Sequence, residues 1–402
     1  MFGRRKFLGK SVGLALTSSA LGVKTSSVAA AAGASASAFK DRDPRGSVGR
    51  LERLARLDLE SKMNFHAGFL RFLMNDMRPV IEKRINDIVS SDGLDPQQDI
   101  PADKTAELVK DDPVISLRQR TWLSNQQVMY KALQQELDEN RDAYLEELDT
   151  AQQSGPGTLE LNPDIEIPEY ATHEIHIQPG GYVGSPFAGH LNYYSVNSFY
   201  DALIGPNYQD QAQVAIANKV PLPENGEVKR ILDLGCATGR LTFAIADRFS
   251  DSEVWGLDIA APMLRFAHLR AVDMGAKVNF RQALASKTQF PDNHFDVVTA
   301  NILFHETSPE ATDEIMRETF RVLRPGGVFY PTDLPNGKQL SKRTAVSNYT
   351  QWVDHTLNYE RWRIEWEASD GAQKLRNAGF VVDETVAPGG FFFGRLLATK
   401  PA

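Results

Sequence analysis

From residue 228 the chain alternates two kinds of apolar segment: "VKRILDLG", "GRLTFAIADRF", "SEVWGLDI" and "APMLRFAHLRAVDMG" follow one another with almost nothing between them. The first and third are short continuous runs, as buried strands are. The second and fourth carry apolar residues at three- and four-residue steps, as helices do. Repeated strand-helix winding lays the strands parallel and puts helices on both faces, so the fold class is α/β. Ligands on such sheets bind beyond the carboxyl ends of the strands. In "ILDLGCATGR" the loop from Gly235 to Gly239 occupies such an end.

The spacing in that loop separates the ligands that use glycine-rich turns. A phosphate-cradling P-loop needs a lysine and a hydroxyl after its last glycine, and positions 240 and 241 are Arg240 and Leu241. A dinucleotide loop needs Gly-x-Gly-x-x-Gly so that backbone can approach a pyrophosphate, and its second glycine is here Ala237. Asp233, just before the loop, sits poorly beside phosphate but suits a ligand with an ammonium group and a positively charged sulfur. S-adenosylmethionine carries both. Asp258 closes the second strand, where an adenosine site asks for an acid.

These residues resemble the class I S-adenosylmethionine-dependent methyltransferases, in particular the small-molecule group that includes quinone-biosynthesis enzymes. "LDLGCATGR" looks like the family's first motif and "GLDIAAPMLRFA" its second. "FPDNHFDVVTANILFHE", "RETFRVLRPGGVFYPTD" and "GFVVDETVAPGGFFFGRLLATK" resemble the fourth strand, the turn into the fifth, and the closing antiparallel hairpin. The resemblance covers roughly residues 200–402. It implies a Rossmann-like seven-stranded sheet over 201–402 and S-adenosylmethionine as cofactor. Asp233, Gly235, Ala237, Gly239, Asp258, Ile259, Met263, Leu284, Ala285 and Asn301 would then line the cofactor site, with Asp258 on the ribose hydroxyls. One departure stands out: the family places an acid for the adenine amino group where this chain has Leu284, so Gln282 or a carbonyl near Ala285 is expected to take its place.

Methyl transfer needs alignment and exclusion of water more than it needs a base. His305 and Glu306, ending the fourth strand of the motif series, are the candidates to deprotonate an acceptor. Between the fifth strand and the hairpin, Tyr349, Trp352, Tyr359, Trp362 and Trp366 are read as a lid over an apolar or aromatic acceptor, some of them simply packing. Cys236 is a small residue the loop tolerates. As the sole cysteine it excludes an intramolecular disulfide.

Upstream, apolar residues from Leu51 to Ile88 and from Trp122 to Leu148 recur at helical steps, with Pro79 an expected kink and an acidic, proline-containing connector at 91–113. Residues 39–151 are therefore read as a helical cap or dimerisation region, making a homodimer one expectation. Residues 152–200 read as a linker followed by a Gly/Tyr-rich loop, with His173 and His176 as ordinary loop histidines and no metal site.

The first 38 residues order four basic residues, a 13-residue weakly apolar stretch and an Ala-x-Ala run, as a signal peptide does, and "RRKFL" resembles the twin-arginine export signal. Periplasmic or exported localisation by that machinery is expected, with a retained membrane tether on a cytoplasmic domain as the alternative. Without the leader, 39 basic residues stand against 52 acidic ones, which argues against a nucleic-acid partner. A cofactor made in the cytoplasm conflicts with export, so a second reading is an exported binding protein that keeps the fold without turnover.

Overall fold

The computed structural model describes residues 57–205, 208–383 and 394–402, and the leader-like start lies outside them. The first apolar stripe forms two helices, α1 (Leu57–Arg71) and α2 (Arg78–Ser91), separated by one wide turn at Phe72–Asp76. Pro79 lies in the first turn of α2, where a missing N–H costs nothing, so it starts a helix instead of kinking one. Part of the 91–113 connector folds as α3 (Ala102–Val109). α4 (Pro113–Glu139) begins where the Asp112 carboxylate accepts hydrogen bonds from the Val114 and Ile115 amides, and α5 (Arg141–Gln152) follows a break at Asn140.

Segment 152–200 does more than link. It supplies a short strand, β1 (Leu159–Glu160), and then α6 (Ala188–Leu203), which is followed by α7 (Tyr208–Ala217). The remaining strands are β2 (Arg230–Leu234), β3 (Glu253–Asp258), β4 (Asn279–Gln282), β5 (Phe295–Asn301), β6 (Leu323–Asp333), β7 (Val381–Asp383), β8 (Gly394–Arg395) and β9 (Leu397–Thr399). They form one sheet in the order β1-β4-β3-β2-β5-β6-β9-β7, with β8 also on β6. β1 to β6 pair in parallel, while β8 and β9 run antiparallel to β6.

This is the Rossmann-like methyltransferase fold, with the strand count corrected from seven to nine. One extra strand is β1, added to the edge by a segment whose composition reads as a connector. The other is β8, set off from β9 by Leu396. Part of the expected closing hairpin, residues 384–393, lies outside the described residues.

Helices α8 (Arg240–Arg248), α9 (Ala261–Met274) and α10 (Pro309–Val322) alternate with the strands, and α11 (Ala345–Leu357), α12 (Arg363–Ala368) and α13 (Gly371–Asn377) fill the insertion after β6. Sequence neighbours on a strand point to opposite faces. Ile231 accordingly packs with Ile216, Leu241 and Ile245 on one side, and Leu232 with Phe304, Ile315 and Phe329 on the other. Ile81, Ile85 and Val89 of α2 bury with Ile115 of α4 against Ala345, Tyr349 and Val353 of α11. The upstream helices and the insertion thus share one apolar core.

α6 crosses α9 closely because Gly189 has no side chain. A Cβ there would stand 2.4 Å from Phe266 Cβ and 2.8 Å from the Pro262 carbonyl oxygen. Gly189→Val is expected to lower stability by about 1–3 kcal/mol through overpacking, measured as a drop in thermal midpoint. An unchanged midpoint would contradict this close crossing.

Candidate active site

Beyond Leu234 the backbone enters the left-handed region three times in five residues, at Gly235 (φ 64°), Ala237 (φ 46°) and Gly239 (φ 76°). Glycine is needed at the first because a side chain there would also press on Leu303, whose Cδ1 lies 2.8 Å from an ideal Cβ. Ala237 adopts the same region at a cost of order 1–3 kcal/mol, so something must hold it there. Asp258 does: its Oδ2 accepts from the Ala237 N–H at 2.9 Å, and its Oδ1 from the Ala260 N–H at 2.9 Å. One carboxylate therefore joins the end of β3 to the loop after β2. Burial pushes its pKa up to about 6 against the pull of those amides.

Asp233 is also buried, with its oxygens on Thr242 Oγ1 of α8 (2.7 Å) and Thr299 Oγ1 of β5 (2.8 Å). Burial raises its pKa to about 6 while the two hydroxyls oppose the rise. It borders the cavity described below, and its carboxylate ties β2 to its neighbours.

Ile259, Met263, Leu284 and Ala285 all border that cavity. Gln282, expected as a substitute acceptor for an adenine amino group, is not free. Its Oε1 accepts from the Asn162 N–H and its Nε2 donates to the Ile259 carbonyl, both at 3.0 Å. That pairing ties the post-β1 segment to the β3 end and could not be read locally. Asn301 receives a hydrogen bond from Thr332 Oγ1 at 2.7 Å and donates to Gln213 Oε1 at 3.4 Å. Cys236 lies buried against Gly256 and Phe280, and burial pushes its thiol pKa well up, away from reactivity.

The candidate base has a partner that sequence reasoning missed. β5 and β6 are adjacent and parallel, so the turn Phe304–Glu306 after β5 lands beside Asp333, the last residue of β6. Asp333 Oδ2 accepts from the Leu303 and Phe304 amides at 2.8 and 2.7 Å, and Oδ1 from the Leu334 amide and His305 Nδ1, both at 2.7 Å. A carboxylate only accepts, so the neutral imidazole carries its proton on Nδ1. Nε2 remains, 3.9 Å from Glu306 Oε1. Burial alone would lower the His305 pKa; attraction to Asp333, with Glu306 and Glu360 adding to it, outweighs burial and raises the value to about 9. The acid ending "FYPTD" was a usable signal, since parallel neighbours bring their carboxyl ends together.

Glu306 Oε1 accepts from Tyr182 Oη at 3.3 Å and lies 3.8 Å from His176 Nε2. On its other side His176 Nδ1 meets Asn358 Nδ2 at 3.0 Å and Glu360 Oε1 at 3.5 Å. Arg363 joins Glu360 to Asp354 and Glu367, and Glu367 also pairs with Arg343. His176 (φ 54°) and Ile177 (φ 51°) are both left-handed, a strained pair held by this network.

A cavity of about 860 Å³ connects these parts, bounded by the Gly235–Arg240 loop, Asp258 and His305 at one end and by α2, α4 and α11 at the other. Of the five insertion aromatics, only Tyr349 borders it, with its hydroxyl accepting from Gln119 Nε2 at 3.3 Å. Trp352 stacks on Tyr349, Trp366 is buried on Phe304 with its N–H on the Leu334 carbonyl, and Tyr359 is exposed. The lid expectation is thus corrected for four of the five. The aromatic wall comes instead from Trp122, Tyr130, Tyr182, Phe199 and Tyr200, on α4, α6 and the loop before α6.

Residues 231–327 match the family model described as a methyltransferase domain. The chain is 38% identical over 107 residues to demethylmenaquinone methyltransferase of Thermus thermophilus, covering 27% of this chain and 48% of that protein. It is 41% identical over 101 residues to the ubiquinone/menaquinone biosynthesis C-methyltransferase UbiE of Azotobacter vinelandii, covering 24% and 39%. It is 33% identical over 160 residues to phosphoethanolamine N-methyltransferase 3 of Arabidopsis thaliana, covering 40% and 30%. The chain spans half or less of the length of these curated relatives.

Titrating the His305 imidazole by NMR is expected to give a pKa near 9. Asp333→Asn should drop it to about 6.5 or below, because burial then acts without its opponent. Since the folded value lies above the unfolded one, the pair's contribution to stability is complete below about pH 6.5 and fades as pH rises through about 9. A wild-type value near 6.5 would refute the pairing.

Proposed function

We propose that this chain is an S-adenosylmethionine-dependent methyltransferase for a small, apolar or aromatic acceptor. The observation that carries the reading is Asp258: a half-buried carboxylate at the end of β3, bonded to the glycine-rich loop after β2, on the same cavity as His305, which Asp333 holds. The residues fit the cofactor. Gly235, Cys236, Ala237 and Thr238 of the loop border the cavity at the carboxyl edge of the sheet, Gly239 turns the chain behind them against Phe243 and Phe280, and Asp258 is the acceptor for ribose hydroxyls. Ile259, Met263 and Leu284 supply apolar surface for the adenine, and Asp233 places negative charge behind the loop. When bound, the cofactor supplies a methyl group on a positively charged sulfur.

The chain's own part is to orient the acceptor, exclude water and take a proton. Asp333 holds the His305 ring through Nδ1 and leaves Nε2 to accept one. With a pKa of about 9 His305 carries its proton at neutral pH and becomes free to accept one only as the pH nears that value, which lies within roughly one unit of a phenolic hydroxyl. That match supports an aromatic hydroxyl or a comparably acidic carbon as the nucleophile.

We also propose export by the twin-arginine route, on the strength of the basic, apolar and small-residue order before Ala38. A fusion of residues 1–45 to a reporter should reach the periplasm only when that machinery is intact. Export independent of the machinery would refute this part, and a reporter that stays membrane-bound on the cytoplasmic side would refute it and favour a tether.

Calorimetric titration with S-adenosylmethionine and S-adenosylhomocysteine tests the activity reading. Micromolar binding is expected, weakened about tenfold or more by Asp258→Ala through loss of charge-assisted hydrogen bonds. Because the Asp258 pKa stands at about 6, binding should also weaken as pH falls below that value and the carboxylate is protonated. No binding at millimolar ligand would sink the proposal and leave an exported protein that keeps the fold without turnover.

A further inference from the structure

We propose that the α4 end of the cavity is an anion subsite, in which Arg118 receives a carboxylate- or sulfonate-type group carried on the apolar body of the acceptor. The proposal rests on the methyltransferase reading only for calling the occupant an acceptor.

Arg118 lies on the cavity wall, and its donors find no carboxylate. Nη1 donates to Gln119 Oε1 at 2.8 Å and Nη2 to the thioether of Met74 at 2.9 Å. The groups that favour its charge are the Tyr349 phenol and then Asp354, and Asp354 is already paired with Arg363. Of the other charges on this wall, Arg78 of α2 has the same sign and no ion pair among the described residues, while Glu82, one turn further along α2, also borders the cavity. A half-buried guanidinium with no carboxylate on its donors is costly, and part of that cost is recovered when an anion arrives. Burial pushes the Arg118 pKa down and Arg78 pushes it in the same direction, consistent with a cation awaiting a partner.

The neighbours point the same way. Trp122 and Gln126 follow Arg118 at one and two helical turns on the same face of α4, and both border the cavity. The Trp122 indole N–H, a donor that an anion can accept from, is buried without a hydrogen-bond partner, and the Gln126 side-chain oxygen, likewise unpartnered, is an acceptor for a donor elsewhere on the same molecule. Such unmet groups are uncommon in a folded chain. Around them Met74, Ile81, Ile85 and Val346 are apolar. A lone inorganic anion would leave that surface uncovered, whereas an anion on an apolar body satisfies both. At the opposite end of the same cavity stand Asp258, Glu306 and the His305–Asp333 pair, so charge polarity along the cavity fixes which way round the molecule enters.

The test uses the full chain and two fluorescent probes of nearly the same shape, anilinonaphthalene sulfonate and its uncharged parent phenylnaphthylamine. The sulfonate should bind with one site per chain, and Arg118→Gln should weaken it about tenfold or more while moving phenylnaphthylamine less than about twofold. Arg118→Lys, which keeps the charge and loses the planar fork, should fall between. S-adenosylhomocysteine affinity, measured on the same samples, should be unchanged in both variants, which shows that they fold. Equal losses for the two probes, no loss for either, or full displacement of the sulfonate by inorganic phosphate would overturn the proposal. If the wild type fails to bind S-adenosylhomocysteine while the sulfonate result holds, the subsite stands and the methyltransferase reading falls.

Discussion

The ligand side of this sheet depends on buried and half-buried carboxylates at or near strand ends that accept hydrogen bonds from their surroundings. Asp258 holds the left-handed Ala237, Asp233 ties β2 to α8 and β5, and Asp333 gathers three backbone amides and one imidazole. Asp258 and Asp333 satisfy backbone donors that the loops of a parallel sheet leave unpaired, Asp233 takes two threonine hydroxyls instead, and each keeps a negative charge in place. The charges are close enough to burial to raise the pKa of Asp233 and Asp258 to about 6, yet each is anchored by at least two donors. Preorganisation of this kind is what a site for a positively charged ligand requires.

Around that edge the chain builds a container from distant parts. α2 and α4 come from before residue 140, Tyr182 and α6 from the middle, and α11 from the insertion after β6, and all contribute to one cavity wall. Their shared apolar core, with Ile81, Ile115 and Tyr349 in contact, fixes the cavity's far end as firmly as the sheet fixes its near end. The strained His176–Ile177 pair and its contacts with Asn358, Glu360 and Glu306 join the two ends electrostatically. The cavity therefore gathers acids and hydrogen-bonding groups near the strand ends and is more apolar near α4, where Arg78, Arg118 and Glu82 border it.

Much of the near end was legible in the chain. The strand-loop-helix at 228–248, the acid at Asp258 and the candidate base at His305 are local patterns, and local patterns survive folding because neighbours in sequence stay neighbours. The partnerships were not. Gln282 is a plausible free acceptor until β1 brings Asn162 against it. The insertion tryptophans look like a lid until Trp366 is seen stacked on Phe304. β1 reads as a linker because two residues of strand leave no periodicity to detect.

The sequence by itself determined the winding, the glycine loop and the acids that end the strands, since strand period, helix period and turn chemistry are short-range properties. Only the tertiary structure decided that Asp333 holds His305, that the aromatic wall belongs to α4 and α6, and that no carboxylate reaches the Arg118 donors. Each of those depends on two segments far apart in the chain arriving at one place, and pairing energies between distant residues leave no mark on either segment alone.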